Sequence, residues 1–157
     1  MNTTIYLIRH SENEKNLNYF MTDHSLQLRN EKNILSLNGE KKAERLSLND
    51  EMKNIDVVIS SKYVRAISTA KYIALNNGVN TNVIDDFDER KFGVDCYNNL
   101  LENFEEIQKG HPNFKMENGK NQNDVASRMY INYKFFVLIY WRRNFYDWYF
   151  SRDYKKN

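Results

Sequence analysis

Arg9 and His10 stand together where an apolar run, Thr4-Ile5-Tyr6-Leu7-Ile8, stops. A neutral imidazole is a competent nucleophile, and a guanidinium clamps anions through paired N–H donors. A second apolar run, residues 55–59, stops on Ser60 and Ser61, and Arg65 follows one helical turn later. A lone arginine in a first turn is ordinarily a solvated residue. Here it answers the Arg-His pair on another strand end, and a helix beginning beside it aims unsatisfied N–H groups at the same edge, which favours an anion. Other site types find no support. There is no glycine-rich phosphate loop with its lysine, and the three histidines (His10, His24 and His111) lack metal-ligand spacing. His24 and His111 sit in polar stretches and read as surface residues.

These side chains need a scaffold that ends its strands at one edge. Residues 4–8 read as a buried strand, 55–59 as a second and Asn82-Val83-Ile84 as a short third. The polar, Asn-rich stretch 11–33 predicts a short helix and a loop, and Gly39 opens a helix over 40–46. A helix over 62–77 carries Val64, Ile67 and Ile73 at roughly helical spacing, with Gly78 placed to stop it. An acidic turn, a helical region over 100–109 and a last helix follow, the last capped by Asn123 or Asp124. This β-α-β-α-β order predicts an α/β fold, a three-layer α/β/α sandwich with a mainly parallel sheet. Ligands bind such sheets at the carboxyl ends of the strands.

At 157 residues, without repeats or a linker, residues 1–157 read as a single domain. Basic and acidic residues number 23 and 21, a net charge of +2, and no dense basic block appears. Neither a nucleic-acid nor a membrane partner is expected. The longest apolar stretch, 135–141, is far shorter than a membrane span, and no signal-peptide pattern precedes the first strand. The single Cys96 allows no internal disulfide, so a reducing cytoplasm is the expected home.

Arg9-His10-Ser11-Glu12, with Asn16 a turn later, resembles the RHGE…N signature of the histidine phosphatase superfamily, which includes the phosphoglycerate mutases. Residues 35–43 are similar to its LTxxGxxQA segment, and Ser60 to Ala70 to its SSPLxRAxQTA segment. Asp88-Glu89-Arg90-Lys91-Phe92-Gly93 matches the xERxxG turn, and Gly119 to Arg128 follows GESxxDVxxR. The five segments keep the family's order over residues 4–128, whereas 129–157 are atypical. The departures are Ser11 for Gly, Lys62 for Pro, and Lys120-Asn121 for Glu-Ser.

The resemblance implies a phosphoglycerate mutase-like fold and a phosphohistidine mechanism. His10 would be the nucleophile and Glu89 the general acid, then the base for water. Arg9, Asn16 and Arg65 would bind the phosphoryl group. The substrate implied is a small phosphorylated molecule, with no metal and no other cofactor. On composition alone, Glu89 is one more solvated carboxylate in the acidic run 85–89; the Glu-Arg-x-x-Gly spacing favours catalysis.

The resemblance also implies a second histidine on a strand after the last helix, and no histidine follows His111. The chain runs instead into an aromatic stretch, 135–150, which reads either as an amphipathic helix covering the sheet or as a shifted reading frame. In the second case the chain is truncated relative to the family and lacks its last core strand. Back-translation from Tyr140 with AT-rich codons, skipping one nucleotide, produces an apolar run that closes on histidine. Three functions follow: phosphomonoester hydrolysis with impaired activity, phosphoglycerate mutase-like phosphoryl transfer, and a non-catalytic phospho-ligand binder or inactive remnant. Hydrolysis is favoured over transfer because the segment between Gly93 and Gly119 is short for the covering structure that excludes water. Sequencing the gene tests the frame: an apolar strand ending in histidine should be encoded beyond Val137 in an alternate frame, and its absence from both alternate frames refutes the shift.

Overall fold

The computed structural model describes residues 4–14 and 25–140. Strands β1 (Val58–Ser60) and β2 (Thr81–Val83) pair in parallel, Val58 opposite Thr81 and Ser60 opposite Val83. Helix α3 (Val64–Asn77) supplies the crossover that parallel pairing requires. Helices α1 (Leu26–Lys32) and α2 (Leu37–Ser47) precede the sheet, and α4 (Phe104–Gly110) and α5 (Gln122–Tyr140) follow it. The architecture is α/β with a parallel sheet, as the element order predicts, and two strands of that sheet form among the described residues.

The element boundaries have local causes. The strand expected over 55–59 begins later because the Ile55 N–H donates to Asn77 Oδ1 at 3.0 Å, while the Asn77 amide donates to the Met52 and Ile73 carbonyls at 2.8 Å. Helix α3 starts at Val64 rather than Lys62, whose N–H turns aside to Asp88 Oδ1 at 3.2 Å. It ends where expected: Gly78 takes the left-handed conformation with φ 65°, and the Val79 N–H closes onto the Ala74 carbonyl at 3.0 Å. The cap of α5 is neither Asn123 nor Asp124. Asn121 Oδ1 accepts from the Asp124 N–H at 2.7 Å, and Asp124 Oδ2 accepts from the Asn121 N–H at 3.1 Å. This reciprocal pair is a capping box, with Asn121 standing where the family motif has serine.

The first expected strand is corrected outright. Residues 4–8 belong to no ladder among the described residues, and their apolar side chains are open, Ile5 44% and Leu7 72% exposed. Apolar runs become parallel strands only where neighbours satisfy both edges, and among the described residues β1 pairs with β2 alone. The segment is held at its far end instead. The Ser11 N–H donates to Thr69 Oγ1 at 3.0 Å, and Ser11 Oγ donates to the Gly39 carbonyl at 2.8 Å. A single antiparallel bridge joins Asn13 to Leu35. The Glu12 carboxylate meets the start of α2, accepting from Ser36 Oγ at 2.9 Å, Asn38 Nδ2 at 3.0 Å and Lys42 Nζ at 2.7 Å. Lys42 chiefly, then Ser36, holds its pKa below the usual carboxylate range.

Two apolar clusters support this frame. Met52, Val58, Ile73 and Ala74 pack between the sheet and α3. Leu26 of α1 packs with Phe92 and Phe104 in the other, beneath the loops over 92–116. The second cluster depends on a close backbone crossing: a Cβ on Gly93, whose φ is 83°, would lie 2.2 Å from the Gly119 nitrogen. Gly93→Ala should therefore cost about 2–4 kcal/mol, combining strain and a clash with backbone. Gly78→Ala, strained but open to solvent, should cost about 1 kcal/mol. Urea unfolding of the two variants measures the difference, and equal losses would show that the crossing yields.

Candidate active site

His10 follows the extended segment and precedes the stapled Ser11-Glu12 pair. Its Nδ1 lies 2.7 Å from the Ser11 carbonyl oxygen. A carbonyl only accepts, so Nδ1 carries the proton in the neutral ring and Nε2 presents its lone pair. Burial depresses the affinity of His10 for a proton, and the charges of Arg65 and Arg9 depress it further; the Ser11 hydrogen bond and Glu89 oppose them. The net shift is downward from 6.5, so the ring is neutral at pH 7.

Arg65 lies in the first turn of α3 and is 7% exposed. Its Nη1 donates to the Asn30 carbonyl at 2.6 Å and its Nη2 to Glu89 Oε2 at 3.0 Å. The guanidinium carbon stands 4.7 Å from the Tyr63 ring centroid. The Arg65 carbonyl accepts from Thr69 Oγ1 at 2.8 Å, and the same hydroxyl accepts the Ser11 N–H. One helical turn of α3 thus joins the anchor of the His10 segment to the root of Arg65.

Glu89 leaves the acidic turn after β2 and reaches Arg65, and its Oε2 also accepts from Asn30 Nδ2 at 3.2 Å. The preceding Asp88 is pinned from three sides: by Lys62 Nζ at 3.0 Å, by the Lys62 N–H, and at its carbonyl by Arg128 Nη2 at 2.6 Å. Lys62, which replaces the family's proline, therefore anchors the Glu89 turn to the start of α3. Its hydrogen bond to Asp88 raises the ammonium's affinity for a proton.

Of the five residues singled out from sequence, Arg9, Arg65 and Glu89 fall within electrostatic reach of His10, and Arg65 and Glu89 form an ion pair. Arg9 is exposed beside His10. Asn16 lies outside the described residues, as do His24 and the aromatic stretch beyond Tyr140. Three supporting residues were not found from sequence. Thr69 is one turn beyond Arg65 on the same helix face, a spacing that pointed to it. Asn30 and Tyr63 carry no such signal, because they are polar or aromatic residues in unpatterned stretches.

The sequence profile of the histidine phosphatase superfamily (branch 1) matches residues 5–131, and the chain belongs to that family. Solved structures agree on the fold. A mycobacterial glucosyl-3-phosphoglycerate phosphatase complexed with inorganic phosphate aligns with TM-score 0.64 at 16% identity, covering 82% of this chain and 60% of that one. A putative α-ribazole-5′-phosphate phosphatase from Escherichia coli aligns with TM-score 0.61 at 18% identity, covering 85% and 66%. The chain thus spans less than two thirds of the length of either structure. No curated protein matches its sequence.

The electrostatic environment of His10 is testable by titration. Its ring resonances should titrate below 6.5, and Arg9→Gln or Arg65→Gln should move the midpoint upward by removing a nearby cation. Because the folded value is depressed, the unfolded chain binds the extra proton first. This contribution to stability is whole above pH 6.5 and declines as the pH falls toward the folded midpoint. A midpoint unmoved in both variants would contradict the arrangement.

Proposed function

We propose that the chain hydrolyses phosphomonoesters through a phosphohistidine on His10. The observation that carries this reading is the His10 ring itself, tethered through Nδ1 to the Ser11 carbonyl so that Nε2 keeps a free lone pair, with the charges of Arg65, Arg9 and Glu89 acting on the ring. Nε2 attacks phosphorus as the bond to the leaving oxygen breaks, and Glu89 gives that oxygen its proton. The phosphoryl group then rests on Nε2. Water attacks in turn, Glu89 takes its proton, the P–N bond breaks and inorganic phosphate departs. The fixed charges of Arg9 and Arg65 stabilise the equatorial oxygens in both transition states, and Asn16 adds a hydrogen bond to the same group.

The Arg65–Glu89 ion pair gives the first step its order. An arriving phosphoryl group competes for Arg65 Nη2 and so frees the Glu89 carboxyl to turn toward the leaving oxygen. Substrate binding thus prepares the acid that the leaving oxygen needs. The substrate is a small phosphorylated molecule, and the single Cys96 suits a reducing cytoplasm. No helix among the described residues is long and apolar enough to cross a membrane. Loss of the family's second histidine would leave the phosphoryl group with one partner fewer and slow the turnover of this chain.

Trapping with a labelled phosphomonoester tests the reading. An acid-labile, base-stable label should appear on the protein and vanish in His10→Ala, with steady turnover of p-nitrophenyl phosphate below about 1 per second. Rapid turnover abolished by His10→Ala would overturn the impairment alone. Heat protection by phosphate without any covalent label would replace the enzyme with a phospho-ligand binder.

A further inference from the structure

Ser11 stands where the family motif has glycine, and its three polar groups are bonded to three different places. Its N–H donates to Thr69 Oγ1 at 3.0 Å, its Oγ donates to the Gly39 carbonyl at 2.8 Å, and its carbonyl oxygen lies 2.7 Å from His10 Nδ1. The first bond leads to α3 and the second to α2, so two helices converge on the residue whose remaining group holds the imidazole. Thr69 is buried and donates its own proton to the Arg65 carbonyl, which closes that anchor to water.

The motif's glycine could make two of these bonds but not the third. A backbone N–H and carbonyl are present in either residue, whereas the bond to Gly39 needs a hydroxyl. Ser11 is not among the residues with positive φ, so its Cβ brings no backbone strain. Glycine in its place would widen the range of φ and ψ open to the peptide that carries the tethering carbonyl. That range matters because residues 4–8, which lead into His10, belong to no ladder among the described residues. A neutral imidazole has two tautomers, and the hydrogen bond made by one nitrogen decides which of the two keeps its lone pair.

We propose that Ser11 is a positioning residue for the nucleophile. Its hydroxyl, fastened to the Gly39 carbonyl, holds the Ser11 carbonyl where it keeps the His10 proton on Nδ1 and leaves Nε2 to attack phosphorus. The attack rests on the phosphohistidine reading; the choice of tautomer does not. Restoring the family's glycine should therefore weaken the site.

Nitrogen-15 spectra of the His10 ring, combined with labelling of the protein by p-nitrophenyl phosphate carrying a labelled phosphoryl group, provide the test. Above the ring's midpoint, the unmodified protein should show Nδ1 protonated and Nε2 bare. Ser11→Ala and Ser11→Gly should move both nitrogens toward the averaged shifts of an untethered ring, while Ser11→Thr, which keeps the hydroxyl, should not. Burial, Arg65 and Arg9 lower the ring's affinity for a proton, whereas the Ser11 hydrogen bond and Glu89 raise it. Only the Ser11 bond is loosened in Ser11→Ala and Ser11→Gly, so the titration midpoint should fall in both. In a single turnover, Ser11→Gly should label His10 about thirtyfold more slowly at saturation, with the half-saturating concentration little changed. If the unmodified protein takes no label, the phosphatase reading fails, and the ring spectra still decide the role of Ser11. A lower urea midpoint in Ser11→Ala and Ser11→Gly with tautomer and labelling rate unchanged would make Ser11 merely structural and overturn the inference. An unmodified ring protonated on Nε2 would overturn it as well.

Discussion

Everything at the site depends on how closely the Glu12 backbone approaches α2. A Cβ built on Gly39 would lie 1.9 Å from the Glu12 carbonyl oxygen, so no other residue fits there without moving the chain. Because residues 4–8 have no ladder to fix them, this contact and the Ser11 bonds to Thr69 and Gly39 determine where the imidazole is. The Ser36 N–H completes the fastening by donating to the Glu12 carbonyl at 3.0 Å. The charge of Glu12 at the N-terminus of α2 adds a favourable dipole interaction. His10 is positioned from behind, by polar contacts, rather than from beneath by a sheet.

Arg65 organises the rest. Its two outward nitrogens are divided between a carbonyl of α1 and the Glu89 carboxylate, and its own carbonyl is tied through Thr69 to Ser11. A buried guanidinium with one carboxylate partner and one neutral acceptor keeps N–H donors in reserve for an anion. Asn30 stabilises both members of the ion pair at once, which orders their relative position before a substrate arrives. The burial of His10 itself, and then the charges of Arg65 and Arg9, hold its pKa down and keep the ring neutral.

Much of the frame was legible in the sequence because its signals are local. Gly78 stops α3 through its own backbone preference, and the alternation of apolar runs with helices announces a parallel arrangement. The misreadings share a cause: tertiary partners intervened. Asn77 takes the N–H that would have extended β1, and Asp88 takes the one that would have begun α3. Residues 4–8 have strand composition, but a ladder is made by neighbours, which composition does not reveal. For the site, Arg9, His10, Arg65 and Glu89 were marked by strand ends and motif spacing. Asn30 was hidden in a stretch without pattern and reaches the ion pair only through the fold.

The two apolar clusters meet at the ion pair. Arg65 extends from the helix that packs over the sheet, whereas Asn30 sits on α1, which Leu26 roots in the cluster of Phe92 and Phe104. Glu89 lies on the chain between them. The seam between two packing units is thus spanned by groups whose bonds require both units to be folded. A phosphorylated ligand bound there couples the two units thermodynamically, since binding free energy favours only the conformation in which both are intact. The Arg65–Asn30–Glu89 contacts thus link two small cores, beside the Gln27–Tyr63 and Lys62–Glu31 contacts that join the same helices.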